Sequence, residues 1–218
     1  MKKNLLMSTV AMLLYTVNAD ASNFDSYISI KATNTDFDVD FDYYDTWYFD
    51  TVHENYSLSD KGWGGSVAAG LSFQYPKGKI RTELEYNKKA DLEDSFTEWG
   101  DKATMKIQSL MLNTYYDIDT GTKFTPYIGG GIGYAQIKIH DAYWNECYGE
   151  DIKGTNFSWQ LGAGVSYLAT DNISFDIGYR YINFGDVSET QNYDINSFEK
   201  NEYNITAKEF YLGLRYQF

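Results

Sequence analysis

The feature that most narrows the fold is a strict two-residue alternation that returns along the chain. In "GGSVAAGLSFQY", Val67, Ala69, Leu71, Phe73 and Tyr75 share one face, and Ser66, Ala68, Gly70, Ser72 and Gln74 the other. "KIRTELEYN" sets Ile80, Thr82, Leu84 and Tyr86 against Arg81, Glu83, Glu85 and Asn87. The pattern recurs in "FSWQLGAGVSYL", "ISFDIGYRYI" and the closing "KEFYLGLRYQF". Strand side chains point to opposite faces in turn, so each segment predicts a strand with one apolar side. Strands near 26–34, 104–116 and 124–139 raise the count to eight. The phase of 104–116 is open, because Met111 and Leu112 are adjacent and both apolar.

The connections alternate in length. Pro76 to Gly78, Asp117 to Lys123 and Ala169 to Asn172 are short, whereas 35–62, 88–103, 140–156 and 184–205 read as long polar loops. Short turns on one rim and long loops on the other predict an all-β fold: an eight-stranded antiparallel up-and-down transmembrane β-barrel. The chain opens with Lys2 and Lys3, an apolar run from Leu5 to Val17, and Ala19-Asp20-Ala21. This predicts a signal peptide over 1–21, cleaved after Ala21, and a barrel domain over 22–218 in the bacterial outer membrane.

A soluble sandwich also alternates, so the residues on the polar face must decide. A narrow barrel interior admits small side chains and balanced charge, because an unpaired buried charge is costly. Lys31, Arg81, Arg180 and Arg215 are opposed there by Glu83, Glu85, Asp176 and Glu209. The expected lumen is therefore neutral, although the whole chain carries a net charge of −13. Tyr75, Tyr86, Tyr115, Tyr116, Tyr127, Trp159 and Tyr167 lie toward strand ends, where interfacial girdles are expected.

The run "PYIGGGIGYA" gives Gly129 and Gly131 but has Tyr134 where a dinucleotide fingerprint needs its last glycine, and no helix pattern follows. With Ile128, Ile132 and Tyr134 toward lipid, Gly129, Gly131 and Gly133 point inward, as do Gly162, Gly164, Gly178 and Gly213. They read as packing glycines that leave room for large side chains from other strands.

"TPYIGGGIGYA", "DIGYRYINFGD" and "YLGLRYQF" resemble strands of the small outer-membrane β-barrel proteins of the opacity-protein and Omp25/Omp31-like surface antigen family. The resemblance covers essentially the whole chain and implies the fold more strongly than any activity. It also implies a signal for the barrel-assembly machinery in Gly213, Tyr216 and the terminal Phe218. No peptidoglycan-binding domain is expected after the last strand.

The four loops hold 22 of the 31 acidic residues and six lysines. In "TDFDVDFDYYDTWYFD", Asp36, Asp38, Asp40 and Asp42 alternate with Phe37, Val39 and Phe41. Extending the preceding register turns the aspartates outward and the apolar residues inward, as for a hairpin projecting above the bilayer. A divalent-cation row linked to lipopolysaccharide phosphates is a sharper reading, but the segment lacks the glycine and final glutamate of an EF-hand loop. Such acidity repels nucleic acid. His53 and His140 fall in the loops with no serine or carboxylate at an assignable spacing, and the lone Cys147 pairs with nothing in the mature chain.

Neither an enzyme nor a cofactor or metal site is expected. The expected partners are outer-membrane lipid and lipopolysaccharide, the assembly machinery and an unidentified surface ligand. The expected role is structural and surface display, by adhesion or antigen-type contacts. A narrow porin for small solutes is the alternative.

Overall fold

The computed structural model describes residues 24–47, 50–89, 92–95, 102–143, 148–194 and 197–218. Residues 1–21, expected to be a signal peptide, and Cys147 lie outside them. Nine strand segments follow in chain order: β1 (Phe24–Trp47), β2 (Asp50–Tyr75), β3 (Gly78–Lys89), β4 (Leu92–Ser95), β5 (Lys102–Ile118), β6 (Phe124–Tyr143), β7 (Tyr148–Leu168), β8 (Ile173–Asp194) and β9 (Ser197–Gln217). All neighbours are antiparallel, in the order β3-β2-β1-β9-β8-β7-β6-β5-β4, and β3 also pairs with β5. Since β3 and the short β4 both pair with β5, they occupy one place in the wall. The result is a closed ring of eight, paired all round at its lower level; above it β7 pairs with β8 only as far as Trp159↔Asn183, and β2 with β3 only as far as Gly64↔Lys89.

Closure is tied at the short-turn rim. β1 pairs with β9 from Tyr27↔Gln217 upward, and the Phe218 amide donates to the Ser26 carbonyl at 2.9 Å. The three expected short turns are present between β2 and β3, β5 and β6, and β7 and β8.

Outside the ring, apolar residues form a continuous belt. Phe73, Tyr75, Phe124, Tyr167, Phe175, Tyr216 and Phe218 are exposed toward the short-turn rim, and Trp63, Tyr86, Tyr134, Phe157, Tyr179 and Phe210 toward the other. From Phe124 to Tyr134 the wall runs about 34 Å along β6, or about 26 Å along the normal at a typical barrel tilt. That matches the apolar band of an outer-membrane barrel. Two residues assigned above to the girdles belong elsewhere: Tyr115 and Tyr127 are buried in the lumen. β5 presents Ile107, Ser109, Met111, Asn113, Tyr115 and Asp117 inward, which settles its phase with Leu112 facing out.

The long polar connections are corrected most. A transmembrane strand needs about 9–11 residues, yet β1 has 24, β2 has 26 and β8 has 22. Much of 35–62, 140–156 and 184–205 is strand that continues the wall beyond the membrane. His53 and His140 consequently lie on β2 and β6, not in loops. On leaving the bilayer the outside becomes polar and the inside apolar, so the alternation inverts and imitates a linker. A bulge accommodates one extra residue on β8 between Asn183 and Asp186, where Gly185 takes a φ of 81°.

Candidate functional site: the packed bore and the projecting hairpins

Alternate residues of all eight wall strands meet in the bore, which in a barrel of this size is about wide enough for side chains to fill. All eight charged residues read from the sequence point inward and are buried: Lys31, Arg81, Arg180, Arg215, Glu83, Glu85, Asp176 and Glu209. Lys89 and Asp117 join them, giving five cations and five carboxylates among the described residues. The two additions escape the sequence reading because Lys89 falls in a supposed loop and Asp117 opens a short turn. Their parity carries the signal, since Lys89 continues Arg81, Glu83, Glu85 and Asn87.

The pairs cross the bore. Arg180 on β8 donates from Nη1 to Glu85 Oε2 at 2.9 Å, from Nε to Glu209 Oε1 at 2.7 Å, and from Nη2 to Asn87 Oδ1 at 2.9 Å. β8 and β3 stand four places apart in the ring, so this guanidinium spans opposite walls. Lys31 Nζ lies 2.6 Å from Glu83 Oε1 and 3.2 Å from Glu85 Oε1, while Lys89 pairs with Glu209. Ser66 and Asn113 donate to Glu85 at 2.5 and 2.6 Å, and Thr35 donates to Glu209 at 2.5 Å. Nearer the short-turn rim, Arg81 Nε donates to Asp117 at 2.6 Å and Arg215 Nη2 lies 3.4 Å from Asp176.

Four tyrosines frame these cations, and each lies over a glycine of another strand. A Cβ at Gly70 or Gly164 would sit 2.5 Å from Cζ of Tyr27 or Tyr127, and one at Gly129 or Gly178 would overlap the ring of Tyr115 or Tyr211. The ring faces are then offered to charge. Arg81 Cζ is 4.9 and 5.0 Å from the centroids of Tyr115 and Tyr127, Arg180 Cζ is 5.3 Å from Tyr211, and Arg215 Cζ is 5.6 Å from Tyr27. Their hydroxyls are also engaged: Tyr27 and Tyr115 donate to Glu83 at 3.0 and 3.1 Å, and Tyr127 meets Tyr211 at 2.9 Å. Gly131 clears space for Asn113, and Gly162 for Arg180. A Cβ at Gly133 would meet the β5 backbone at Leu110 and Met111 instead.

Above the charges the bore turns apolar. Phe37, Ile107, Ala135, Ile137, Ile182, Phe184, Ile205 and Ala207 form one buried cluster, flanked by Val39 and Met105. Phe37 and Phe184 stack with centroids 6.3 Å apart. The cluster joins β1, β5, β6, β8 and β9 at the level where the wall leaves the membrane.

The hairpin exterior is charged. Asp36 pairs with Lys61 at 3.5 Å and Asp38 with Lys208 at 2.8 Å. His53 stacks on Tyr44 at 4.3 Å and lies 3.3 Å from Asp42. Among the described residues no group of three or more His, Cys, Asp or Glu is placed to hold a metal ion. Of the proposed assembly signal, Gly213 lies inside, where a Cβ would be 3.4 Å from Lys31 and Asp176 side-chain atoms, whereas Tyr216 and Phe218 point out at the rim with rings 5.2 Å apart.

A closed eight-stranded wall with a lipid-width apolar belt and a polar interior defines an outer-membrane β-barrel. The chain belongs to the outer membrane protein beta-barrel domain family, whose model matches residues 6–218. It is 33% identical over 174 residues to the outer membrane protein PagN of Salmonella typhimurium, covering 71% of this chain and 72% of that one. A 25 kDa outer-membrane immunogenic protein of Brucella melitensis is 25% identical over 170 residues, covering 74% of this chain and 68% of the relative. The solved structure of Neisserial surface protein A superposes with a TM-score of 0.58 at 20% identity, covering 88% of this chain and 97% of that one. That likeness shows the fold. The family places the protein in the bacterial outer membrane.

Proposed function

We propose that this protein is a non-conducting, non-enzymatic outer-membrane barrel that presents its long hairpins at the cell surface for adhesive or antigen-type contacts. The observation that carries this reading is the two-part filling of the bore. Cross-bore ion pairs occupy the membrane level, and the cluster around Phe37 and Phe184 covers them. A wall that extends well beyond the bilayer has no use in sealing it, but it raises the acidic, aromatic-rich tips above the surrounding lipid. The names of two similar proteins, one an immunogenic outer-membrane protein and the other a surface protein, support exposure of this face. Export would follow removal of residues 1–21, and Gly213, Tyr216 and Phe218 would present the terminal strand to the assembly machinery.

Two measurements test the reading. The refolded protein, residues 22–218, is expected to give no discrete current steps in a planar bilayer; steady steps would make it a narrow porin. For display, Asp40 pairs with Ser57, so replacing residues 41–56 by Asn-Gly shortens the first hairpin without changing its register. Cells carrying that variant are expected to fold the barrel, as judged by heat-modifiable gel mobility, and to lose adherence to epithelial monolayers. Undiminished adherence would remove this hairpin from the contact.

A further inference from the structure

Above the bilayer the wall parts along one seam. β7 and β8 pair no higher than Trp159↔Asn183, yet β7 begins eleven residues above that point, at Tyr148, and β8 runs eleven beyond it, to Asp194. Each keeps its other neighbour: Tyr148 to Asn156 of β7 pair with β6, and Asp186 to Asp194 of β8 with β9. The parting has a local cause. The bulge on β8 between Asn183 and Asp186, with Gly185 at a φ of 81°, falls where the ladder to β7 stops, and bulges bend and twist a strand. At the floor the strands still touch, since a Cβ on Gly185 would lie 2.7 Å from the Phe157 carbonyl oxygen and 2.9 Å from Asn156 Cβ. Higher up, each has one edge with no strand partner among the described residues. The connections of this chain do not supply one. β7 and β8 are joined at the opposite rim, by 169–172, and the tips beside the seam are residues 144–147 and 195–196, too short to lay a strand of their own. The other long-loop connections join strands at least two places away in the ring.

We infer that this seam is a docking site for an extended, basic segment of another polypeptide, which adds to β8 as a further strand. An edge strand offers a row of backbone N–H and C=O groups to any extended chain, and strand addition is a general mode of peptide recognition. Lysine and proline are the usual guards of such edges, and residues 184–194 contain neither. Charge selects both the template and the partner. Residues 184–194 hold Asp186, Glu189 and Asp194 with no cation, whereas 148–158 hold Glu150, Asp151 and Lys153. Five carboxylates against one lysine favour a basic segment, and they disfavour a second copy of this chain, whose seam carries the same charge. The floor supplies an end point: Asn156 Nδ2 is buried with no hydrogen-bond partner among the described residues, a donor for a carbonyl of the entering chain. β2 also leaves its ladder with β3 at this height, above Gly64, but there β4 stands beside it. The inference deepens the display reading and rests on it for the side of the membrane that the seam faces.

Fluorescence anisotropy with the refolded protein, residues 22–218, in detergent micelles tests the seam. The probe is a labelled peptide of about ten residues alternating lysine and threonine. Its controls are the glutamate-for-lysine peptide and two N-methylated forms, methylated on the odd or on the even residues, which keep the charge and lose backbone donors. The lysine peptide is expected to bind saturably and the glutamate peptide not to bind. At least one N-methylated form is expected to lose at least about tenfold in affinity, since one phase of methylation removes several backbone hydrogen bonds. Equal binding of all three lysine peptides would mean that charge alone holds them, and would overturn the inference. D186N/E189Q/D194N is expected to weaken binding at least about threefold, while D36N/D38N/D40N, the same change of charge on β1 with both its edges paired, stays within about twofold. Equal losses would overturn the assignment to β8. A photoreactive form of the peptide is expected to cross-link to 148–158 or 184–194; cross-links to 50–63 would move the site to β2 and overturn it. A dimer in native mass spectrometry that the peptide disperses would give the seam to a second copy, which overturns the choice of partner. The N-methyl comparison uses the parent protein alone, so it decides even if a variant fails to fold. Peptide binding is read on purified protein and adherence on cells, so this inference and the display reading fail separately.

Discussion

Arg180→Met is expected to destabilise the folded barrel by about 3–5 kcal/mol, the usual effect of removing one partner from a buried charge pair. The replacement fills much of the same volume, so the loss is electrostatic. Glu85 and Glu209 are both fully buried, and both bond the Arg180 guanidinium. Without it the cation left to Glu85 among the described residues is Lys31, which also serves Glu83, and the one left to Glu209 is Lys89; the neutral donors Ser66, Asn113 and Thr35 remain. Five carboxylates would then face four cations, all of them buried. Urea unfolding in micelles, followed by the gel mobility of unheated samples, reads the effect. The variant R180M/E85Q restores the balance and leaves Lys31–Glu83 and Lys89–Glu209 as pairs, so it is expected to regain at least about half of the loss. If both variants fall equally, the role of Arg180 is to pack and to stack on Tyr211, and the charge account fails.

Why the charge network was legible from sequence, and the projecting wall was not, has a physical basis. Inside the bilayer each strand has lipid on one side and a packed bore on the other, so alternation has constant sign. Arg81, Glu83 and Glu85 therefore declare their face by parity alone. Above the bilayer the solvent on the outside changes from lipid to water. Asp36 and Asp38 turn outward while Phe37 turns inward, and a pattern sought with fixed sign ends at residue 34. The register itself does not end, since β1 pairs with β2 without interruption from Phe24 to Trp47. Lys89 is lost for another reason, because the strand reading stops at Asn87 although the parity of Arg81, Glu83 and Glu85 continues through it. Tyr115 and Tyr127 fail differently. Tyrosine suits an interfacial girdle and a crowded lumen equally, and only the glycine on another strand distinguishes them. Gly129 lies opposite Tyr115, and Gly164 opposite Tyr127. Cross-strand register is what a single sequence lacks.

That pairing of ring with glycine makes Gly178→Val the second large perturbation. β8 and β9 bring Gly178 opposite Tyr211, and a Cβ at 178 would overlap the phenol ring. The ring cannot simply move aside, because it is only 3% exposed and its hydroxyl is bonded to Tyr127 at 2.9 Å. Its face also lies 5.6 Å from Lys31 Nζ and 5.3 Å from Arg180 Cζ, so displacement strips the central cations of an aromatic neighbour. Overpacking of a tight core costs about 1–3 kcal/mol, and the lost hydroxyl bond adds about 1 kcal/mol. Gly178→Val is therefore expected to lose about 2–4 kcal/mol in the same unfolding assay. Gly65→Ala, on the outer wall with its nearest contact at 3.2 Å from the Lys31 carbonyl oxygen, is expected to lose less than about 1 kcal/mol. The decisive variant is the double, G178V/Y211A. If the glycine exists to seat the ring, removing the ring relieves the overlap, and the double variant is more stable than the two single losses summed, by at least about 1 kcal/mol. If the losses add, Gly178 is needed by the β8 and β9 backbones, and the tyrosine merely occupies space that the strands leave.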